Sequence, residues 1–232
     1  MPNLVPLGAN PSTADQVYLR LKEAITSTAL HPGEPVVEAE VARTLGVSTT
    51  PVREALQRLG QEGLVTLHRF RGASVIELAD ADIQEIYELR EVLEPLAARS
   101  AVPLLTHGDL AAMREAIDQA AAAIGEGDWR ELSKWNRRFH AAFIERCSNH
   151  RLRRSLATLQ DQNRIIALLT WEGRGYDAQE HAEHEWILDA AMAGHAEQTA
   201  DRLRRHIARF GAVVTDIWAG QTAHPARELT MR

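Results

Sequence analysis

The stretch that most constrains this chain runs from Val36 to Leu67, and within it Gly46-Val47-Ser48-Thr49-Thr50-Pro51-Val52-Arg53-Glu54-Ala55-Leu56. Val37, Val41, Ala42 and Leu45 recur ahead of it at helical spacing, and Gly46 supplies the backbone freedom for a sharp helix stop. Ser48 can cap a second helix, with Pro51 in its first turn, where a backbone N–H has no partner to lose. Val52, Ala55, Leu56 and Leu59 then make one apolar stripe and leave Thr49, Thr50, Arg53 and Gln57 nearer the other side. A helix, a tight turn and a second helix with hydroxyls and a guanidinium outward can lie in the major groove of DNA. The same spacing also fits an ordinary helical hairpin inside a globular core, because such patterns arise by chance.

The flanks extend the pattern. Asp15 to Leu30 reads as a preceding helix with Val17, Leu21, Ala24 and Ile25 on its apolar face, ended by His31-Pro32-Gly33. After Gly63, Leu64-Val65-Thr66-Leu67 and Ala73-Ser74-Val75-Ile76 are β-prone runs separated by His68-Arg69-Phe70-Arg71-Gly72. Three helices followed by a two-stranded, basic-tipped hairpin make a winged helix-turn-helix, expected over residues 12–78. The candidate DNA-contacting set is Ser48, Thr49, Thr50, Arg53 and Arg58 from the helices, with Arg69, Arg71 and Gly72 from the wing. The wing arginines would meet phosphates or a minor groove; the alternative is a solvated basic loop.

A formal charge of −6 over 232 residues argues against a strongly basic nucleic-acid binder, so its distribution matters. Residues 1–75 hold seven Lys/Arg and seven Asp/Glu, and the acidity lies wholly in the remainder. Within 48–72, Arg53, Arg58, Arg69 and Arg71 outnumber Glu54 and Glu62. Non-specific DNA affinity should therefore be modest and salt-sensitive. No apolar run approaches the roughly 20 residues of a membrane span, and Met1 to Pro11 has no export signal pattern. A single cysteine, Cys147, excludes an internal disulfide and fits a buried thiol in a reducing cytoplasm.

From Asp80 onward the sequence reads helix after helix, with breaks at Pro103 to Gly108, Gly125 to Asp128, Ser148-Asn149, Gly173 to Tyr176 and Gly194. Asp128-Trp129-Arg130-Glu131 and Asp177-Ala178-Gln179-Glu180 both fit a capping box. The spacing predicts helices at 80–102, 109–124, 129–147, 150–171, 178–193 and 196–219, packed antiparallel as an all-α bundle over 79–220. Loose tails are expected at 1–11 and 221–232. The chain is thus mostly α, a winged head followed by a helical bundle.

Asn136 and His140 are four apart and project from one helix face, while His184 and His206 lie in the last two helices. Brought together, they would offer three imidazoles and an amide oxygen, a set suited to zinc, nickel or manganese. Each histidine taken alone reads equally as a hydrogen-bonded core or surface residue. His181 could compete as a ligand, and Glu180, Glu183 and Glu185 could form a solvated face.

Leu45-Gly46-Val47-Ser48, Pro51 to Leu56 and Glu62-Gly63-Leu64-Val65 resemble the DNA-binding domain of GntR-type bacterial transcription regulators. Ile86-Tyr87-Glu88-Leu89-Arg90 with Glu94, Asn136 to His140, His184 with Ile187-Leu188, and Arg205-His206 resemble the FCD effector domain of the FadR-like branch. The resemblance implies a cytoplasmic homodimer, most often a repressor, that binds double-stranded operator DNA and responds to a small carboxylate effector. It implies that Asn136, His140, His184 and His206 hold a divalent metal, zinc first and nickel or manganese after it, and also border the effector. Many relatives have Asp where this chain has Asn136, which puts a weaker neutral oxygen in the set. Arg90 would grip the effector carboxylate bidentately, the alternative being a structural ion pair with Glu94. Relatives usually carry Arg where this chain has Thr49, and threonine cannot read guanine bidentately, so the operator should differ. A metal-dependent enzyme acting on a small organic acid is the competing reading, although it leaves the N-terminal head unexplained.

Overall fold

The computed structural model describes residues 12–68, 72–175 and 178–222, which form two compact units divided after Glu77. Among the described residues no helix is long and apolar enough to cross a membrane.

The first unit holds α1 (Thr13–Thr26), β1 (Pro35–Val36), α2 (Glu38–Leu45), α3 (Thr49–Gln61), β2 (Val65–His68) and β3 (Gly72–Val75). Ser12 and Asp15 form a reciprocal capping box at the start of α1. The helix stops at Thr26, four residues before the expected end at Leu30, because the chain turns through a left-handed Thr28 (φ 54°). A β-branched residue there is unusual, so no glycine or proline announces the turn. Val17, Leu21 and Ile25 of α1 are buried, as are Val52, Leu56 and Leu59 of α3, and the two helices pack on each other. Gly46 closes α2 in the left-handed conformation (φ 68°), as its position predicts. Of the four apolar positions expected to bury α2, Ala42 is buried, while Val37 is exposed at the helix N-cap.

The wing has three strands in place of the expected two. β2 and β3 pair antiparallel with Leu67 opposite Ala73, and β1 adds to the other edge of β3 with Val36 opposite Ala73. A two-residue strand beginning in proline has no periodicity to read, and Pro35 is tolerated there because β1 is an edge. Gly72 (φ 81°) lets the backbone turn at the foot of β3, where a Cβ would sit 3.1 Å from the Val36 carbonyl oxygen.

The second unit is all helical: α4 (Asp80–Ala101), a 3-10 turn (Val102–Leu104), α5 (His107–Glu126), α6 (Trp129–Arg146), α7 (His150–Arg174), α8 (Ala178–Met192) and α9 (Ala196–Thr222). α4 packs along α9, α5 along α6, and α7 and α8 complete the bundle around one apolar core. α4 and α9 run antiparallel, with Arg204 meeting Glu91 and Arg99 meeting Glu197. Gly211 lets them approach closely, since a Cβ there would lie 2.8 Å from the Tyr87 ring. α5 starts before the expected Asp109 because Thr106 and Asp109 form an unforeseen capping box. Asp128 caps α6 as expected, accepting from the Arg130 and Glu131 N–H groups. Asp177 lies outside the described residues, and its proposed box partner Glu180 is turned inward. Cys147 is a buried thiol at the end of α6.

Candidate DNA-reading surface and buried histidine centre

Thr49, Thr50 and Arg53 stand exposed on the first turns of α3, opposite its buried stripe. Ser48 occupies the N-cap in extended conformation, but its side chain makes no capping bond, so its hydroxyl faces outward. The Arg53 guanidinium is 62% exposed and bonds the Glu38 carboxylate of α2 through Nε and Nη2 at 2.8–3.3 Å. Hydrogen bonds donated to Glu38 raise the Arg53 pKa further, so the cation is permanent. An open groove between α2, α3 and the wing runs beside it, bordered by Val37, Gln57, Leu67 and Gly72. Arg58, five residues on, lies about 140° around the helix at 3.6 residues per turn. It bonds Asp15 of α1 at 2.6 Å and stacks 3.9 Å from the Tyr18 ring centre, apart from the Arg53 edge. Arg69 and Arg71 lie outside the described residues.

In the bundle, α6, α8 and α9 bring His140, His184 and His206 together, all buried, with one nitrogen of each within 4.8 Å of the others. His140 Nε2 and His184 Nε2 are 3.3 Å apart. Two nitrogens bound to one tetrahedral zinc at about 2.0–2.1 Å would stand about 3.3–3.4 Å apart, so this pair already has the required separation.

Two carboxylates orient the rings. His140 Nδ1 lies 3.0 Å from Glu94 Oε2, and His206 Nδ1 lies 2.8 Å from Glu183 Oε2. Burial would raise the Glu94 pKa, but the Arg90 guanidinium and His140 outweigh it and hold the carboxyl down at about 2. Glu183 is likewise held at about 2, with burial outweighed by His206 and Arg209. A carboxylate can only accept, so each of these Nδ1 atoms carries a proton and turns its Nε2 toward the other imidazoles, the nitrogen that would be left for a metal. Burial pushes the His206 pKa to about 4 and that of His184 well below its usual value, leaving neutral imidazoles near pH 7. Neutral imidazoles locked by carboxylate partners are the donors a divalent transition metal requires.

Asn136, one turn before His140, borders two small cavities beside this cluster, each with about 10 Å³ of free volume. That is room for an ion or one water, not for a metabolite. Arg90 lines both cavities; its Nε donates to Glu94 at 2.6 Å, and Nη1 donates to Asn163 Oδ1. Arg90 thus makes the structural ion pair with Glu94 while it borders both cavities. His181 joins no cluster with the other three among the described residues. Glu180 is buried against Trp171 Nε1 and Arg174, and burial pushes its pKa up to about 7, so it belongs to no solvated face.

The helix α7 is expected from the sequence, but its polar lining residues are not. Gln160, Asn163 and Arg164 are buried and line one of the two cavities, together with Ser133, whose buried Oγ finds no partner among the described residues. The signal was present: Gln160, Asn163, Arg164, Ala167 and Trp171 recur at i, i+3, i+4, i+7 and i+11, the phase of a buried stripe. Polar side chains at core phase mark a polar interior.

A winged reading head and a helical bundle with a buried histidine cluster together define a transcription regulator built from two modules. Residues 13–75 match the GntR family of bacterial regulatory proteins, and residues 85–209 match the FCD domain. The chain is 30% identical over 200 residues to a probable D-xylose utilization operon transcriptional repressor of Paenarthrobacter nicotinovorans, covering 86% of this chain and 87% of that one. It is 27% identical to the HTH-type transcriptional regulator YdhC of Bacillus subtilis, covering 82% and 86%. The solved structure of E. coli McbR/YncC superimposes with a TM-score of 0.81 at 26% identity, over 90% of this chain and 100% of that one. This chain belongs to the GntR family with an FCD domain, a family of transcription regulators and not of enzymes.

Proposed function

We infer that this protein is a ligand-responsive repressor that binds operator DNA as a homodimer and senses a small carboxylate at a divalent metal held by His140, His184 and His206. The observation that carries the reading is the fit of the histidine set to a metal: three buried imidazoles, two with Nδ1 locked by Glu94 and Glu183. Zinc best suits three neutral nitrogens, with nickel and manganese behind it. Asn136 is the candidate fourth ligand through its amide oxygen. The metal would supply a Lewis-acidic anchor for the effector carboxylate, and Arg90 a second, charge-assisted contact. Since the cavities hold about 10 Å³ each, the bundle must open to admit a metabolite, and that coupling of ligand to helix packing is what a sensor needs.

At the other end, Ser48, Thr49, Thr50 and Arg53 would meet base edges while Arg69, Arg71 and Gly72 approach the backbone. Repression is supported by the probable repressor among the relatives. The test pairs metal analysis with DNA binding. Purified protein should retain about one equivalent of metal that His184→Ala loses, and a carboxylate should shift operator affinity only in the metal-loaded protein. Metal-free wild-type protein that still responds to carboxylates would overturn the metal-anchored reading.

A further inference from the structure

α4 has an outer face that a lone bundle helix should not have. Leu89, Val92 and Leu96 are 51%, 66% and 44% exposed, although Ile83, Ile86, Tyr87, Ala97 and Ala98 of the same helix are buried. Scattered exposed leucines need no explanation, but these three share one line along the helix. That line begins at Glu85 and ends at Arg99, with the sequence positions 85, 89, 92, 96 and 99 spaced four, three, four and three apart. Such spacing is the seam by which one helix packs lengthwise on another.

The geometry points to this face as the surface on which a second copy of the chain docks, α4 against α4, antiparallel, across a twofold axis at Val92. The proposal rests on the dimeric part of the function proposed above and names the surface that would serve it. Self-complementarity singles out the occupant. Glu85 and Arg99 lie seven residues to either side of Val92, about 10.5 Å along the axis at 1.5 Å per residue. A twofold axis there sets Glu85 beside the partner's Arg99 at both ends of the seam, brings Leu89 within about one residue's rise of the partner's Leu96, and puts Val92 against its own copy. Isologous packing demands that one patch complement itself, and this one does so in both charge and apolarity. Parallel packing would instead set Glu85 against Glu85 and Arg99 against Arg99. Arg99 currently bonds Glu197 at 2.8 Å, with side chains 51% and 76% exposed, a surface pair weak enough to be shared or exchanged.

Sedimentation velocity on the full chain tests this, with circular dichroism to check that each variant keeps its helical content. Wild-type protein should be a dimer at micromolar concentration. Val92→Glu sets two carboxylates face to face on the axis and should raise the dimer Kd by about 100-fold or more. Arg99→Glu should weaken the dimer, and the double variant Glu85→Arg/Arg99→Glu, which restores opposite charges across the seam, should recover it. A monomeric wild-type chain would overturn both this interface and the dimeric reading of function. A dimer indifferent to Val92→Glu, or a charge swap that fails to recover the loss from Arg99→Glu, would overturn the α4 seam alone.

Discussion

Replacing Glu94 with glutamine isolates the group on which the bundle interior most depends. Its Oε1 accepts from Arg90 Nε at 2.6 Å and its Oε2 lies 3.0 Å from His140 Nδ1, with the Glu94 and Arg90 side chains 2% and 4% exposed. Glutamine keeps the volume, removes the charge, and can accept from only one of the two neighbours. Arg90 is then a buried cation left against the neutral Asn163 oxygen and the Tyr87 ring. Breaking a buried pair by removing one member costs about 3–5 kcal/mol, and the retained volume and single acceptor point to the lower end, about 3 kcal/mol. At about 2–4 °C per kcal/mol for a chain of this size, the melting temperature should fall by about 6–12 °C.

The measurement is calorimetry on chelator-treated protein, so that metal loss does not enter. Glu88→Gln, on the exposed side of the same helix and accepting from Gln84, serves as the control and should change stability by no more than about 0.5 kcal/mol. The pH dependence has a definite sign. The folded carboxyl is held at about 2, below its ordinary value of 4.5, so its stabilisation is present above 4.5 and is lost as pH falls toward 2. The gap between wild type and Glu94→Gln should therefore be full at pH 7 and narrow below about pH 4.5. A metal-free variant that melts within 2 °C of wild type at pH 7 would show that Arg90 does not depend on this carboxylate, and the ion-pair reasoning would fail.

Arg53→Ala should lower operator affinity by about 10–100-fold at fixed salt, as removing a base-edge arginine does, whereas Arg58→Ala should cost stability through the lost Asp15 and Tyr18 contacts and leave DNA affinity within about threefold. Filter binding and thermal melting of both variants distinguish these roles, and equal DNA losses would refute the division. Gly211→Ala gains about 1 kcal/mol of helix propensity but drives a methyl to 2.8 Å from the Tyr87 ring, which the bond to Asn163 holds in place. Overpacking of this kind costs about 1–3 kcal/mol, so chemical denaturation should show a net loss of about 1 kcal/mol, and a more stable variant would mean that α4 and α9 separate freely.

Periodicity made the fold legible wherever the chain obeys one rule over several turns. The α3 stripe of Val52, Ala55, Leu56 and Leu59 and the left-handed stop at Gly46 are local, so they could be read directly. The same reasoning failed at Thr28, where tertiary burial enforces a backbone conformation that threonine does not advertise, and at β1, whose two residues are a strand only because β3 pairs with them. The three histidines could be nominated from the sequence, but residue spacing cannot bring α6, α8 and α9 to one point, and that step required the family resemblance. Glu183 was read as surface for the same reason: its partners His206 and Arg209 lie on α9, more than twenty residues away. Asn163 and Gln160 are legible in principle, as polar side chains at the phase of a buried stripe, but apolar periodicity alone passes over them.

Asn136 is where this chain departs most from the carboxylate-bearing pattern it resembles, and charge bookkeeping gives that departure a consequence. The two carboxylates that meet the imidazole Nδ1 atoms are already matched, Glu94 by Arg90 and Glu183 by Arg209, which bonds it through Nε at 2.6 Å. If the three imidazoles and the Asn136 amide hold a dication as proposed, these uncharged donors would leave it with its full charge in a buried site. An anionic effector would relieve that charge, so metal and carboxylate should each bind more tightly in the presence of the other, by the same factor. Asn136→Asp supplies the missing negative charge from within. It should tighten metal binding without effector by about tenfold or more, a gain of at least about 1.4 kcal/mol, and shrink the coupling between metal and carboxylate correspondingly. Isothermal titration of zinc into both proteins, with and without a saturating carboxylate, measures the four corners of that cycle. Equal coupling in wild type and variant would mean that effector and metal do not share this electrostatic site, and that Asn136 does not border both.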